Sequence, residues 1–100
     1  KPKIFIQVNI GNEDQKSGIK KENLINFYNF CKNLQLDIVG TMCIPPNNKK
    51  TAHYFFEMNQ INQGLNFKEL SMGMSGDYLD AIQNKATFVR IGSKIFGNRG

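Results

Sequence analysis

The stretch ELSMGMSGDYLDAIQNKATFVRIG, Glu69 to Gly92, decides how the chain folds. Glu69 to Met74 reads as a short strand, and Thr87 to Ile91 as a second one rich in β-branched and aromatic residues. Between them, Ser75 and Asp77 are candidate caps for a helix in which Ala81 and Ile82 lie among the buried positions. Strand, helix and strand in so short a space make a crossover unit. Such units lay their strands parallel in one sheet, with right-handed connections.

Working outward continues the alternation. Asp37 to Ile44, DIVGTMCI, is a strand with no clean alternation, as suits a strand buried on both faces. Pro45-Pro46 ends it, because neither residue can donate to a ladder. Thr51 offers an N-cap to a helix whose face is Tyr54, Phe55, Met58 and Ile61, with Gly64 as its stop. From Lys20 to about Leu34, the positions Leu24, Phe27, Tyr28, Cys31 and Leu34 form the stripe of another amphipathic helix. Lys3 to Ile10, KIFIQVNI, is the first strand, with Ile4, Ile6, Val8 and Ile10 on one face. After Gly92-Ser93, Lys94 to Gly97 reads as a terminal helical turn. The order is β-α-β-α-β-α-β, about four βα units, or half of what a closed (β/α)8 barrel needs.

Composition narrows the function. The chain has 100 residues, 40% hydrophobic and 21% charged, in the range of a single globular domain. Its net charge is +5, but 11 of its 13 cations are scattered lysines, with doublets only at Lys20-Lys21 and Lys49-Lys50. A nucleic-acid surface would cluster them with arginine and interleaved aromatics, so nucleic acid is not an expected partner. No apolar run reaches the ~20 residues of a membrane span, and Lys1-Pro2-Lys3 does not open a secretory signal. Cys31 and Cys43 read as reduced core thiols of a cytoplasmic protein. His53 is read as a surface or half-buried helix residue. No Cys/His spacing suits a metal.

Ligands of parallel α/β folds sit beyond the carboxyl ends of the strands. Three segments fall there. In Arg90-Ile91-Gly92-Ser93, the backbone N–H groups at a helix start and the Ser93 hydroxyl suit a phosphate, though the same residues also describe a plain strand-to-helix turn. In Ser71 to Asp77, serines flank a glycine-containing strand end and can supply a second hydroxyl, or Met72 and Met74 simply fill core. The loop Asn9 to Gly18 carries one cation, Lys16, and is otherwise of the solvated kind. Arg90 sits in an apolar strand, where its guanidinium serves either an anion or cofactor, or a salt bridge to Asp77 or Glu69.

Taken together, QVNIGNEDQKSG (Gln7 to Gly18), VGTMCIPP (Val39 to Pro46), ELSMGMSGDYLDAI (Glu69 to Ile82) and TFVRIGSKIFGNRG (Thr87 to Gly100) resemble the pyridoxal phosphate homeostasis proteins. These are the YggS-like relatives of the alanine racemase N-terminal domain. The resemblance runs from about Phe5 to Arg99. It implies a fold-type III (β/α)8 TIM barrel binding pyridoxal 5′-phosphate (PLP) at its mouth, in a protein that carries or buffers the cofactor rather than turning over substrate. It implies that Ser75, Gly92 and Ser93 bind the phosphate, that Arg90 faces the pyridine nitrogen, and that Lys16 lies near the ring.

Two departures qualify it. The family's Schiff-base lysine lies after an early strand, in a V-S-K-T-like segment that nothing here matches. The chain therefore looks like the carboxyl-terminal half of such a barrel, with PLP held non-covalently. The glycine usual before Ala-Thr is Lys85, which shifts the expected left-handed residue to Asn84. A half barrel is expected to pair with a second copy, to be a piece of a longer protein, or to form a small open sheet. The competing readings are a PLP-dependent racemase or decarboxylase, which needs the missing lysine and an acid–base pair, and a structural domain without cofactor.

Overall fold

The structure is a computed structural model that describes residues 2–13, 18–46, 48–92 and 94–97, with only the backbone at 94 and 96. The elements run β1 (Lys3–Asn9), β2 (Ile19–Lys20), a 3-10 turn (Lys21–Asn23), α1 (Leu24–Asn33), β3 (Asp37–Met42), α2 (Thr51–Gly64), β4 (Glu69–Ser71), α3 (Tyr78–Gln83), β5 (Phe88–Ile91) and β6 (Lys94–Gly97). They build one six-stranded sheet in the order β2-β1-β3-β4-β5-β6. Every pairing from β2 to β5 is parallel, as the crossover reading requires.

The last element corrects the sequence reading. Lys94–Gly97 is not a helical turn but a strand antiparallel to β5, pairing Arg90 with Ile95 and Phe88 with Gly97. The cause is non-local. β5 would otherwise present unpaired N–H and C=O groups, and the terminal segment satisfies them.

Alternation assigns the faces. Ile6 and Val8 of β1, with Leu70 and Val89, pack in one cluster with Leu24, Phe55, Met58 and Ala81 of the helices. Phe55, Met58 and Ala81 are fully enclosed. Phe5 and Phe88 alternate to the opposite face, where their rings meet edge to face with centroids 5.6 Å apart. In the sheet, β3 and β4 lie between β1 and β5, a flat separation of ~14 Å at ~4.8 Å per strand. Ring reach and a concave curl of the sheet close that gap.

A register shift between β1 and β3 contributes to the curl. Ile4 pairs with Ile38 but Phe5 pairs with Gly40, so Val39 is an extra residue, a bulge. It also explains the missing alternation in DIVGTMCI. Ile38 packs against the core before the bulge, whereas Thr41 and Cys43 are buried after it. One residue of slip, not burial on both faces, makes the pattern irregular.

The helices depart from the sequence reading in detail. On α1, Leu24 and Cys31 are buried, but Phe27 is exposed, as are Leu34 at its C-cap and Ile82 on α3. Thr51 is the first residue of α2 rather than its cap, and its hydroxyl donates to the Pro46 and Asn48 carbonyls. All three α-helices end alike. Gln35, Asn66 and Lys85 have φ of 61°, 59° and 74°, while Leu36, Phe67 and Ala86 donate to the carbonyls of Cys31, Asn62 and Ala81. These are Schellman endings on non-glycine residues. The left-handed residue after α3 is Lys85 itself. Asn84 has φ −99°, because the six-to-one bond fixes which position must turn.

Candidate functional site

The carboxyl ends of the parallel strands converge on one mouth. Arg90 and Val89 of β5, Cys43 and Ile44 after β3, Gly73 after β4 and Ile95 of β6 line a cleft of about 350 Å³, counting its opening. Gly73 has φ 105°, and a Cβ there would lie 2.6 Å from that of Ala81, so this strand end needs glycine to sit on α3.

Ser75 and Gly92, 17 residues apart, come together here. The Gly92 N–H donates to Ser75 Oγ at 2.7 Å. Gly92 has φ 62° and open space where a Cβ would stand. The pair is exposed, with a hydroxyl and a backbone donor side by side. Arg90 is also exposed, contrary to the expectation of a buried guanidinium. Its backbone N–H donates to Gly73 O at 2.8 Å, tying β5 to the loop after β4. Neither Asp77 nor Glu69 forms an ion pair with it; among the described residues the ion pair is Lys21–Glu57, at 2.6 Å. Three of the five expected binding residues thus share one end of the sheet. Lys16 and Ser93 lie outside the described residues.

The cradle is not a helix N-terminus, since β6 follows it. A phosphate here would meet individual donors and the Arg90 charge, and the segment after Gly92 adds no helix dipole.

Two positioning contacts escaped the sequence reading. Asp77 precedes α3 but makes no side-chain cap bond to it. Its carboxylate instead accepts from the Met74 N–H at 2.7 Å. Asn9 is buried and clasps the loop after β1, accepting from the Glu13 N–H at 3.0 Å and donating to the Glu13 carbonyl at 2.6 Å. An aspartate closing a turn and an asparagine opening one are the available signals. Which backbone group each bonds depends on the folded loop.

Cys43 is buried, and its thiol is pushed up to about 12 by burial first and the nearby Asp77 charge second. It is neither nucleophile nor base at neutral pH. At pH 8 about one thiol in ten thousand would be ionised. Iodoacetamide should therefore leave Cys43 unmodified in the folded chain and label it in urea, as read by peptide mass spectrometry. Rapid native labelling would contradict the burial. The linked effect on stability has a definite sign. The unfolded thiol loses its proton near 9.0 while the folded one holds it to about 12, so stability is intact below pH 9 and falls between these values.

The profile of the alanine racemase N-terminal domain family matches residues 1–100. Pyridoxal phosphate homeostasis proteins are similar to the chain. That of Aquifex aeolicus is 36% identical over 106 residues, covering 96% of this chain and 46% of the relative. That of Vibrio cholerae is 38% identical over 105 residues, covering 96% and 44%. Among solved structures, PipY of Synechococcus elongatus matches with TM-score 0.73 and 28% identity without PLP, and with 0.74 and 27% with PLP bound. Both matches cover 96% of this chain, and 50% and 49% of PipY respectively. The chain thus spans about half the length of the relatives it matches. With the profile matching from the first residue to the last, the chain belongs to the alanine racemase N-terminal domain family.

Proposed function

We propose that this chain is the phosphate-binding, carboxyl-terminal half of a (β/α)8 barrel that binds PLP and acts in PLP homeostasis in the cytoplasm. The observation that carries the reading is the meeting of Ser75 and Gly92 beside Arg90 at the mouth of a parallel sheet. The donor set suits the cofactor. A hydroxyl and the N–H of an exposed glycine suit phosphate oxygens, and a guanidinium with no ion-pair partner among the described residues suits an anion or a ring nitrogen.

Bound PLP supplies an electron-withdrawing ring. The residues do the rest. Ser75 turns its hydroxyl from acceptor of Gly92 to donor, which frees the Gly92 N–H for a second contact. A guanidinium is a donor and far too weak an acid to protonate a pyridine, so Arg90 beside the ring nitrogen gives it a hydrogen bond only. That disfavours catalysis and favours storage. Ser93 and Lys16 complete the proposed set, and the covalent lysine belongs to the other half of the barrel. The same reading expects either that half or a second copy against the concave face. In both cases β6 must leave the edge of β5 before a closing strand can pair there.

Titration with PLP, followed by its absorbance, tests the site. Removing one charge-assisted contact costs ~1.5 kcal/mol or more. Arg90→Ala and Ser75→Ala should therefore each raise the dissociation constant about tenfold. Unchanged affinity in both variants would remove the assignment, and a wild-type chain that binds neither PLP nor inorganic phosphate would remove the function. No described helix is long and apolar enough to cross a membrane.

A further inference from the structure

We infer that Asp77 is the positioning residue of the phosphate cradle, setting Ser75 and through it Gly92 without touching the ligand. The inference rests on the PLP reading of the site. The turn from Met74 to Asp77 is closed twice by the same residue. The Asp77 N–H donates to Met74 O at 3.0 Å, and the Met74 N–H donates back to Asp77 Oδ1 at 2.7 Å. Ser75 and Gly76 are the two residues inside that clasp. Ser75 Oγ leaves it to meet the Gly92 N–H at 2.7 Å.

The clasp is anchored to the core. The Asp77 carbonyl accepts from Ala81 N–H at 3.2 Å, and Ala81 is fully buried beneath Gly73. A continuous set of contacts runs from the enclosed side of α3, through Asp77, to the exposed hydroxyl at the mouth. Ser75 is exposed and Gly76 has open space where a Cβ would stand. Packing therefore does little to hold the turn, and the two Asp77 bonds set its shape. The carboxylate bond is charge-assisted and so the stronger kind. A side chain that presents the same acceptor without the charge keeps the clasp, and one without an acceptor loses it.

The test compares Asp77→Ala with Asp77→Asn in the full chain. The first readout is hydrogen exchange at the Gly92 amide, which needs no ligand. The second is the dissociation constant for PLP, with inorganic phosphate as competitor. Asp77→Ala should speed Gly92 exchange about tenfold and weaken PLP and phosphate about tenfold, while exchange at the Leu70 amide stays as in wild type. Asp77→Asn should stay within about twofold of wild type on both readouts. Equal Gly92 exchange in Asp77→Ala and wild type would overturn the inference, as would Asp77→Asn behaving like Asp77→Ala. If wild type fails to bind PLP, the functional reading falls, while the Gly92 exchange still decides the role of Asp77.

Discussion

Gly40→Ala is expected to cost about 4 kcal/mol or more, a large part of the 5–15 kcal/mol that holds a domain of this size. Gly40 is buried in β3, directly after the bulge, paired with Phe5 on one side and Glu69 on the other. A Cβ there would fall on the Glu69 carbonyl, 2.6 Å from its carbon. That neighbour is main chain, so it cannot swing aside as a side chain would. To make room β4 must move from β3, and β4 carries Met72, Gly73 and the cradle loop behind it. At ~4–8 °C per kcal/mol, the melting temperature should drop by ~16 °C or more. A variant melting within ~5 °C of wild type would show that the strands tolerate a wider spacing. The same argument makes Gly40 a requirement of the mouth: if β3 and β4 part, the cleft between Cys43 and Gly73 opens with them.

Asn62→Ala is expected to cost about 3 kcal/mol. The buried face of α2 runs Phe55, Met58, Asn62, so its last member is polar. Asn62 accepts the Thr41 hydroxyl at 2.7 Å through Oδ1 and donates to the Glu69 carbonyl at 2.8 Å through Nδ2. Thr41 is fully enclosed. Truncation leaves the Thr41 hydroxyl without its partner and takes a donor from the Glu69 carbonyl, at ~1–3 kcal/mol for each group affected. Pairing the change with Thr41→Val removes one of the stranded groups. The double variant should therefore be more stable than the sum of the singles predicts, by ~1 kcal/mol. Urea unfolding measures both effects. A loss under ~1 kcal/mol, or strict additivity, would mean that water replaces the amide.

What was readable in the residues follows from the range of the forces involved. The alternation of Ile4, Ile6, Val8 and Ile10, and the spacing of Phe55 and Met58, report local geometry, and both elements stand where they were expected. The Val39 bulge did not announce itself, because a shift of face looks in sequence like a strand buried on both sides. The segment after Ser93 has no strong preference of its own. It is a strand because β5 has an edge to fill, a fact stored elsewhere in the chain. For the site, Ser75 and Gly92 were each legible as candidates at a strand end, and the order of four sequence blocks tied them to one cofactor. Their direct contact depends on the path of the Met74–Asp77 turn. Asp77 stands at the N-cap position of α3 as expected, but its carboxylate turns back to the Met74 N–H, since the same group can serve either side of its own backbone.

The fold-back of β6 onto β5 has a consequence for self-assembly. Open-ended fibrils of stacked sheets need two adhesive margins per molecule, one to receive and one to offer. Here both margins stay in place among the described residues: the four-residue β6 on one side, and β2 with the uncovered part of β1 on the other. A very short outer strand offers an incoming chain few backbone groups to pair with, which is one way natural sheets blunt an edge. The four residues of β6 thus make one margin of a half-sized sheet a poor template for polymerisation.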